Sequence, residues 1–188
     1  MEAFLVSVTT IATAEMGDRT QLLSLVLAAR YRKPVPIVAG ILCATILNHA
    51  AAAWLGVWFG SLIKPAWLLL VVGASMIGMA LWTLKPDQLQ GEATALSTTC
   101  AFVATLGSFF VAEIGDKTQI ATLALAASYA GTLAVIAGTT TGMMIANVPV
   151  VILGQRFSDR LPMTAIRYAA ASLFVVLGMV FLVRGLWR

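Results

Sequence analysis

Long apolar runs separated by short polar breaks dominate the chain. Six segments can be drawn, and each is long enough for the roughly 20 residues that a helix needs to cross a bilayer. Lipid cannot satisfy backbone polar groups, and runs of this length do not alternate as barrel strands do. The pattern therefore predicts an all-α membrane protein with six transmembrane helices. The segments cover approximately residues 3–29, 35–63, 66–84, 99–127, 132–154 and 163–183.

Composition supports the membrane interpretation. Hydrophobic residues make up 60% of the chain and charged residues 11%, whereas a soluble domain has about 25% charged residues. The formal net charge is +4, but basic residues such as Arg30, Arg32 and Lys33 cluster in the short breaks. That distribution is typical of loops that set membrane topology, so the expected partner is the lipid bilayer and not nucleic acid. The start Met1-Glu2 has no basic region, and no cleavable signal peptide is predicted.

The first and fourth segments share a repeated sequence. Residues 15–29 (EMGDRTQLLSLVLAA) align without a gap on residues 113–127 (EIGDKTQIATLALAA), with nine of the fifteen positions identical. The offset of 98 residues (113 − 15) also holds in the following segments, where it superposes glycines. Those pairs are Gly40 with Gly138 and Gly56 with Gly154. We interpret the chain as a duplicated three-helix unit.

The predicted organisation is one transport domain made of two repeats, residues 1–84 and 99–188, joined by a central polar loop at 85–98. Because each repeat has three helices, the second enters the membrane from the opposite side, which gives an inverted-topology repeat. Basic residues are more numerous in the loops after segments 1, 3 and 5, so these loops are expected in the cytoplasm and both termini outside. The basic residues expected on the cytoplasmic side are Arg30, Arg32, Lys33, Lys85, Arg156 and Arg160. Those expected on the outer side are Lys64, Arg184 and Arg188.

A charged motif interrupts the apolar pattern once in each repeat. Residues 14–20 read AEMGDRT and residues 112–118 read AEIGDKT, in the middle of segments 1 and 4. An ionised side chain at the centre of the membrane costs about 2.5–3.5 kcal/mol on insertion scales. Intramembrane charges of this kind need partners and indicate a functional site.

Ion pairing within each helix explains part of the motif. Glu15 and Arg19 are spaced i, i+4, as are Glu113 and Lys117, so each basic side chain is expected beside the acids of its own helix. This pairing leaves the two aspartates unexplained. Four carboxylates and two basic groups give a net charge of −2, which cannot be buried without compensation. The site is therefore expected to take up protons or one divalent cation.

An inverted repeat brings both motifs together near the midplane, and acids at i, i+3 share a helix face. The predicted cation ligands are Glu15, Asp18, Glu113 and Asp116. A helix break that could offer backbone carbonyls is expected at Gly17 and Gly115. Supporting polar residues are Thr20, Gln21, Thr118 and Gln119, with the basic pair Arg19 and Lys117. This all-oxygen set suits Ca²⁺, Mn²⁺ or Mg²⁺ and disfavours Zn²⁺ or Cu⁺.

Three further polar residues lie inside predicted helices. Asn48 and His49 fall in segment 2 and Asn147 in segment 5, and the repeat offset places His49 opposite Asn147. They are candidates for a second layer of the site or a proton path. Equally, they could form ordinary hydrogen bonds between helices.

The doubled E-x-G-D-[KR]-T signature resembles the family of Golgi and bacterial Mn²⁺/Ca²⁺–proton exchangers, which is distantly related to the lysine-exporter superfamily. The resemblance covers nearly the whole chain. It implies that the cation-binding acids are the four named above, with Thr20 and Thr118 in matching positions. Arg19 departs from the lysine common in the first motif, but both side chains are cationic. The resemblance implies a bacterial plasma (inner) membrane protein that exchanges Mn²⁺, or Ca²⁺, for protons and exports Mn²⁺.

Other functions remain open at this stage. The main alternative is an exporter of a small organic cation or amino acid, which would need a roomier, more apolar pocket. An intramembrane aspartyl protease is less compatible, because the neighbouring basic residues would favour ionised acids over a dyad that shares a proton. A structural scaffold does not need buried charges. We therefore expect a transporter and not an enzyme, without a prosthetic group, with a transported ion at the midplane; a homodimer is possible.

Overall fold

A computed structural model describes residues 1–84, 100–153 and 163–187. The predicted central loop at 85–98 lies outside these ranges. Within them, all regular secondary structure is helical. The helices are α1 (Glu2–Glu15), α2 (Arg19–Tyr31), α3 (Pro34–Leu62), α4 (Pro65–Thr83), α5 (Ala101–Glu113), α6 (Lys117–Ser128), α7 (Thr132–Leu153) and α8 (Met163–Leu186).

The first and fourth apolar segments are each divided into two helices. Residues 16–18 separate α1 from α2, and residues 114–116 separate α5 from α6. At both breaks the backbone enters the left-handed region, with φ of 80° at Gly17 and 73° at Gly115. Glycine adopts this conformation without the steric cost that a Cβ atom imposes. The two charged motifs therefore lie on broken helices.

Four described helices are long and apolar enough to cross a membrane: α3, α4, α7 and the part of α8 from Tyr168 to Leu186. α3 and α4 each begin with a proline, at Pro34 and Pro65, where the missing N–H leaves no helical hydrogen bond unmade. The fold is thus that of an all-helical membrane protein.

The two halves of the chain pack on each other through equivalent contacts. Where α7 crosses α1, a Cβ atom added at Gly138 would lie 2.7 Å from the Cβ of Ser7. Where α3 crosses α5, a Cβ atom added at Gly40 would lie 2.8 Å from the Cβ of Thr105. The offset of 98 residues converts one contact into the other. Glycine at both crossings lets the helices approach closely.

The third helices of the two halves, α4 and α8, pack on each other in opposite directions. A Cβ atom at Gly73 would lie 2.7 Å from Leu182, and one at Gly178 would lie 2.8 Å from Ile77. Since the earlier residue of α4 meets the later residue of α8, the two helices run antiparallel. Again each helix presents a glycine to a branched side chain of the other.

Buried apolar side chains surround the broken helices. Ile11, Met76 and Phe174 belong to the larger of two buried clusters, and Ile37 and Phe109 to the smaller. Both clusters include residues of the helices that carry the motifs, α1 and α5. The charged motifs are thereby held within an apolar interior.

Candidate cation site

The acids of the two motifs come together at the breaks in the helices. All four are buried, with 0% of Glu15 and Glu113, 1% of Asp18 and 4% of Asp116 exposed. One carboxylate oxygen from each of Glu15, Glu113 and Asp116 lies within 4.8 Å of the other two. We call these three residues the acidic cluster. Asp18 is buried nearby but is not one of its members in this arrangement.

Each basic residue pairs with the aspartate of the other motif. Arg19 Nη2 lies 2.9 Å from Asp116 Oδ1, and Lys117 Nζ pairs with Asp18 Oδ1. The expectation that the basic side chains would lie beside the acids of their own helices is therefore wrong. The i, i+4 spacing brings side chains together only on a continuous helix, and the break removes that geometry.

The two ion pairs differ in their surroundings. The side chains of Lys117 and Asp18 are 4% and 0% exposed, so this pair is almost completely buried. Arg19 is 37% exposed, and its Nη2 also donates to the carbonyl oxygen of Ala112 at 2.6 Å. The pair formed by Lys117 and Asp18 is therefore the one that depends more strongly on mutual compensation of charge.

The motif threonines orient the glutamates. Thr20 Oγ1 donates to Glu15 Oε2, and Thr118 Oγ1 donates to Glu113 Oε2 at 2.9 Å. Thr118 Oγ1 also lies 3.3 Å from Asp116 Oδ2. The second oxygen of each glutamate, Oε1, is buried and has no hydrogen-bond partner within the described ranges. Each glutamate thus has one oxygen fixed and one available to a ligand.

The motif glutamines hold the breaks in place. Gln21 Oε1 accepts from the backbone N–H of Gly17 at 2.9 Å, and Gln119 Oε1 accepts from that of Gly115 at 2.7 Å. Gln21 Nε2 also donates to the carbonyl oxygen of Ala146 at 3.0 Å. In this arrangement the amide oxygens serve backbone donors that the helix break leaves without a partner, and not the acidic cluster.

The three weaker candidates lie in helices that pack on the site. Asn48 Nδ2 donates to the carbonyl oxygen of Phe110 at 3.2 Å, and Asn147 Oδ1 accepts from Ser24 Oγ at 2.8 Å. His49 is fully buried, and neither ring nitrogen has a hydrogen-bond partner in the described part of the chain. Sequence reasoning missed Ser24, although its position one turn after Thr20 could have indicated it.

Substitution of Gly115 tests the requirement for a left-handed break. A Cβ atom added there meets no atom of the described residues within 4 Å, so we expect the cost to be conformational. We expect Gly115→Ala to destabilise the protein by about 1–2 kcal/mol, and Gly115→Asn to cost less because asparagine tolerates this region. Thermal unfolding in detergent measures both. Equal losses for the two variants would contradict a conformational role for this glycine.

The charges of the site now divide into two groups. The ion pairs account for Arg19, Lys117, Asp18 and Asp116, so two ionised glutamates would leave a charge of −2. Those glutamates are buried and lie close together, and each has an oxygen without a hydrogen-bond partner among the described residues. The donors available are oxygens, which suit hard divalent cations. Fold and site thus define a helical membrane protein with a buried centre suited to a divalent cation.

Comparison with known proteins agrees with this class. The profile of the family described as "Divalent cation/proton antiporter GDT1" matches residues 3–91 and 101–187, and the chain belongs to this family. It is 52% identical over 180 residues to "Putative manganese exporter" of Vibrio cholerae serotype O1, covering 95% of this chain and 90% of that protein. It is 29% identical over 85 residues to "GDT1-like protein C186.05c" of Schizosaccharomyces pombe, covering 45% and 32% respectively. No solved structure matches the chain significantly.

Proposed function

We propose that the protein exports Mn²⁺ from the cytoplasm in exchange for protons, with Ca²⁺ as a second substrate. The observation that carries the proposal is the pair of buried glutamates, each with an oxygen that has no hydrogen-bond partner in residues 1–84, 100–153 and 163–187. Membership of the antiporter family supports ion exchange. The choice of Mn²⁺ follows the name of the Vibrio cholerae relative, which aligns over 95% of this chain.

The proposed ligands are the carboxylates of the acidic cluster, Glu15, Glu113 and Asp116, whose oxygens converge. Asp18 is proposed to contribute mainly by compensating the charge of Lys117. Thr20 and Thr118 hold the glutamates in position through their hydroxyl groups. Carbonyl oxygens released by the helix breaks could complete the coordination, since Mn²⁺ and Ca²⁺ both accept oxygen ligands.

The proposed architecture has six transmembrane segments in two inverted repeats, residues 1–84 and 99–188. In it, α1 and α2 cross the membrane together, as do α5 and α6. The offset of 98 residues relates the Gly138–Ser7 contact to the Gly40–Thr105 contact. This equivalence supports a twofold relation between the halves. The antiparallel packing of α4 on α8 supports its inverted sense, because these helices occupy the same place in the two repeats.

The charge of the site suggests how the two flows are coupled. With both glutamates ionised the centre has an excess of −2, and either one divalent cation or two protons neutralise it. A neutral site can reorient across the apolar interior at low electrostatic cost, whereas the empty charged site cannot. Metal and protons would therefore cross in opposite directions and not leak separately.

Competition between protons and metal for the same carboxylates predicts a strong dependence on pH. A carboxylate must be ionised to bind the metal, so apparent affinity falls as pH decreases. If two protons are displaced, the fall reaches about 100-fold per pH unit where both glutamates are protonated in the metal-free protein. Binding of Mn²⁺ to the purified protein, measured between mildly acidic and neutral pH, tests this. An affinity indifferent to pH would contradict shared ligands.

The function itself is tested by flux in proteoliposomes with an imposed pH gradient. Mn²⁺, Ca²⁺, Mg²⁺ and Zn²⁺ should be compared, with proton movement recorded in the same vesicles. We expect proton-coupled transport of Mn²⁺ and, more weakly, Ca²⁺. Transport of an organic cation or amino acid without metal flux would favour the alternative exporter function.

The proposed location is a bacterial inner membrane, with both termini outside the cytoplasm. The excess of basic residues in the loops after segments 1, 3 and 5 supports this orientation. Export from the cytoplasm then requires the acidic cluster to be reached from that side first. Reporter fusions at either terminus would test the orientation directly.

A further inference from the structure

Hydroxyl groups in membrane helices usually donate to a backbone carbonyl one turn earlier, which satisfies them without a partner on another helix. Many serine and threonine residues of this protein follow that rule. They are Thr9, Thr13, Ser61, Ser75, Thr122, Ser128, Thr139 and Thr141. Buried hydroxyls that do not make this bond need a partner from elsewhere.

Six buried hydroxyls have no hydrogen-bond partner within the described ranges. They belong to Ser7, Thr10, Thr45, Thr83, Thr105 and Thr140. A buried polar group left without a partner costs about 1–3 kcal/mol, and in a membrane the lipid cannot supply one. Four of the six lie on α1, which carries Glu15, on α5, which carries Glu113, or on α3, which packs against α5. Water or an ion could supply the missing partners there.

The first group, which we call the α1 row, consists of Ser7 and Thr10. These residues are spaced i, i+3 and share a face of α1. Ser7 precedes Glu15 by eight residues, roughly 12 Å along the helix. Both residues therefore lie on the amino-terminal side of Glu15, whose Oε1 has no hydrogen-bond partner in the described part of the chain.

The second group, the α5 row, is its counterpart in the other half. Thr105 corresponds to Ser7 by the offset of 98 residues and precedes Glu113 by the same eight residues. On α3, which packs against α5, Thr45 and His49 are also completely buried, and their polar side-chain atoms have no hydrogen-bond partner in the part of the chain that the structure describes. They are spaced i, i+4 and share a face. The α5 row comprises Thr105, Thr45 and His49.

We infer that the two rows line the routes by which the hydrated divalent cation and protons reach the glutamates, one route from each face of the membrane. The inference rests on the proposed function. Because α1 and α5 run in opposite directions in the inverted repeat, rows that precede equivalent glutamates lead to opposite faces. Water and the cation's hydration shell supply the missing partners when a route opens.

The same geometry indicates what closes the routes. Ser7 packs against Gly138, and Thr105 packs against Gly40, with no room for a Cβ atom on either glycine. Both glutamates are fully buried. The structure thus corresponds to an arrangement in which both routes are shut, and opening requires α1 to part from α7 or α5 from α3. Transport would open these two contacts alternately.

Labelling of single cysteines tests the inference in the full chain. Ser7→Cys and Thr105→Cys would be made after replacing Cys43 and Cys100 with alanine, and reconstituted in proteoliposomes under a pH gradient with Mn²⁺. A membrane-impermeant thiol reagent is then applied to one side or the other. We expect Ser7→Cys to be labelled from one side only and Thr105→Cys only from the opposite side. Thr9→Cys and Thr141→Cys are the controls. Their native hydroxyls are exposed on the outside of membrane helices and bonded to their own helices. These thiols would face lipid, which the impermeant reagent does not enter, and should stay unlabelled.

Thr10→Cys and Thr45→Cys provide a second member of each row if a first variant does not fold. Labelling of both rows from the same side, or labelling no greater than at Thr9→Cys, would overturn the inference. So would unreactive rows in vesicles that exchange Mn²⁺ for protons, and that result would leave the proposed function intact. Absence of metal flux from the cysteine-free chain would instead contradict the proposed function, whatever the pattern of labelling.

Discussion

Glu15→Gln and Glu113→Gln will each abolish metal–proton exchange while leaving the protein folded. Glutamine keeps the shape of the side chain and can still accept the threonine hydroxyl, but it supplies no negative charge. One divalent cation would then face a site with an excess of −1 only. Removing one charge from a buried, compensated set should weaken metal binding by about 3–5 kcal/mol, which is on the order of 10²–10⁴-fold in affinity.

Glu2→Gln is the matched control, because it makes the same chemical change at an exposed acid far from the breaks. Binding and flux of Mn²⁺ should be unchanged in this variant and lost in the other two. The variants at Glu15 and Glu113 should also elute as folded protein from size-exclusion chromatography, since neutralising an excess charge removes a burial cost. Full exchange in both would show that the doubled motif is structural.

Much of the site could be predicted from the repeat. Two copies of one charged motif lie in equivalent apolar segments, and each buried charge is costly alone. The repeat therefore predicted that the two motifs meet at one site. The structure brings together oxygens of Glu15, Glu113 and Asp116. All-helical structure also followed from the apolar runs, since lipid leaves few alternatives. The family found by comparison is the one that the motif resembled.

The pairing of charges could not be predicted from spacing. Arg19 is four residues from Glu15, but their relation depends on a continuous helix, and the chain turns at Gly17 with φ of 80°. Which partner each basic residue then meets depends on how the two broken helices approach, which no local pattern specifies. Gln21 was likewise expected to support the ion, but its oxygen accepts the N–H of Gly17 that the break exposes.

The crossed ion pairs lead to the last prediction, which compares Lys117→Gln with Arg19→Gln. Loss of the Lys117 ammonium leaves Asp18 charged and buried, which should cost about 3–5 kcal/mol of folding stability. Arg19 is partly exposed, so solvent screens its own charge. Its partner Asp116 is buried but keeps the N–H and hydroxyl of Thr118 as donors, so the loss should be smaller. Thermal unfolding in detergent, or the yield of folded protein, measures both.

The double variant Asp18→Asn/Lys117→Gln separates a structural role of the pair from a direct role of Asp18 in binding. Replacing both partners removes both buried charges, so stability should recover most of the loss seen in Lys117→Gln alone. Because the double change leaves the charge of −2 on the glutamates, we expect exchange of Mn²⁺ to persist. A folded double variant without metal binding would mean that Asp18 is itself a ligand. Failure to recover stability would mean that the contact between Lys117 and Asp18 is not what holds the two motifs together.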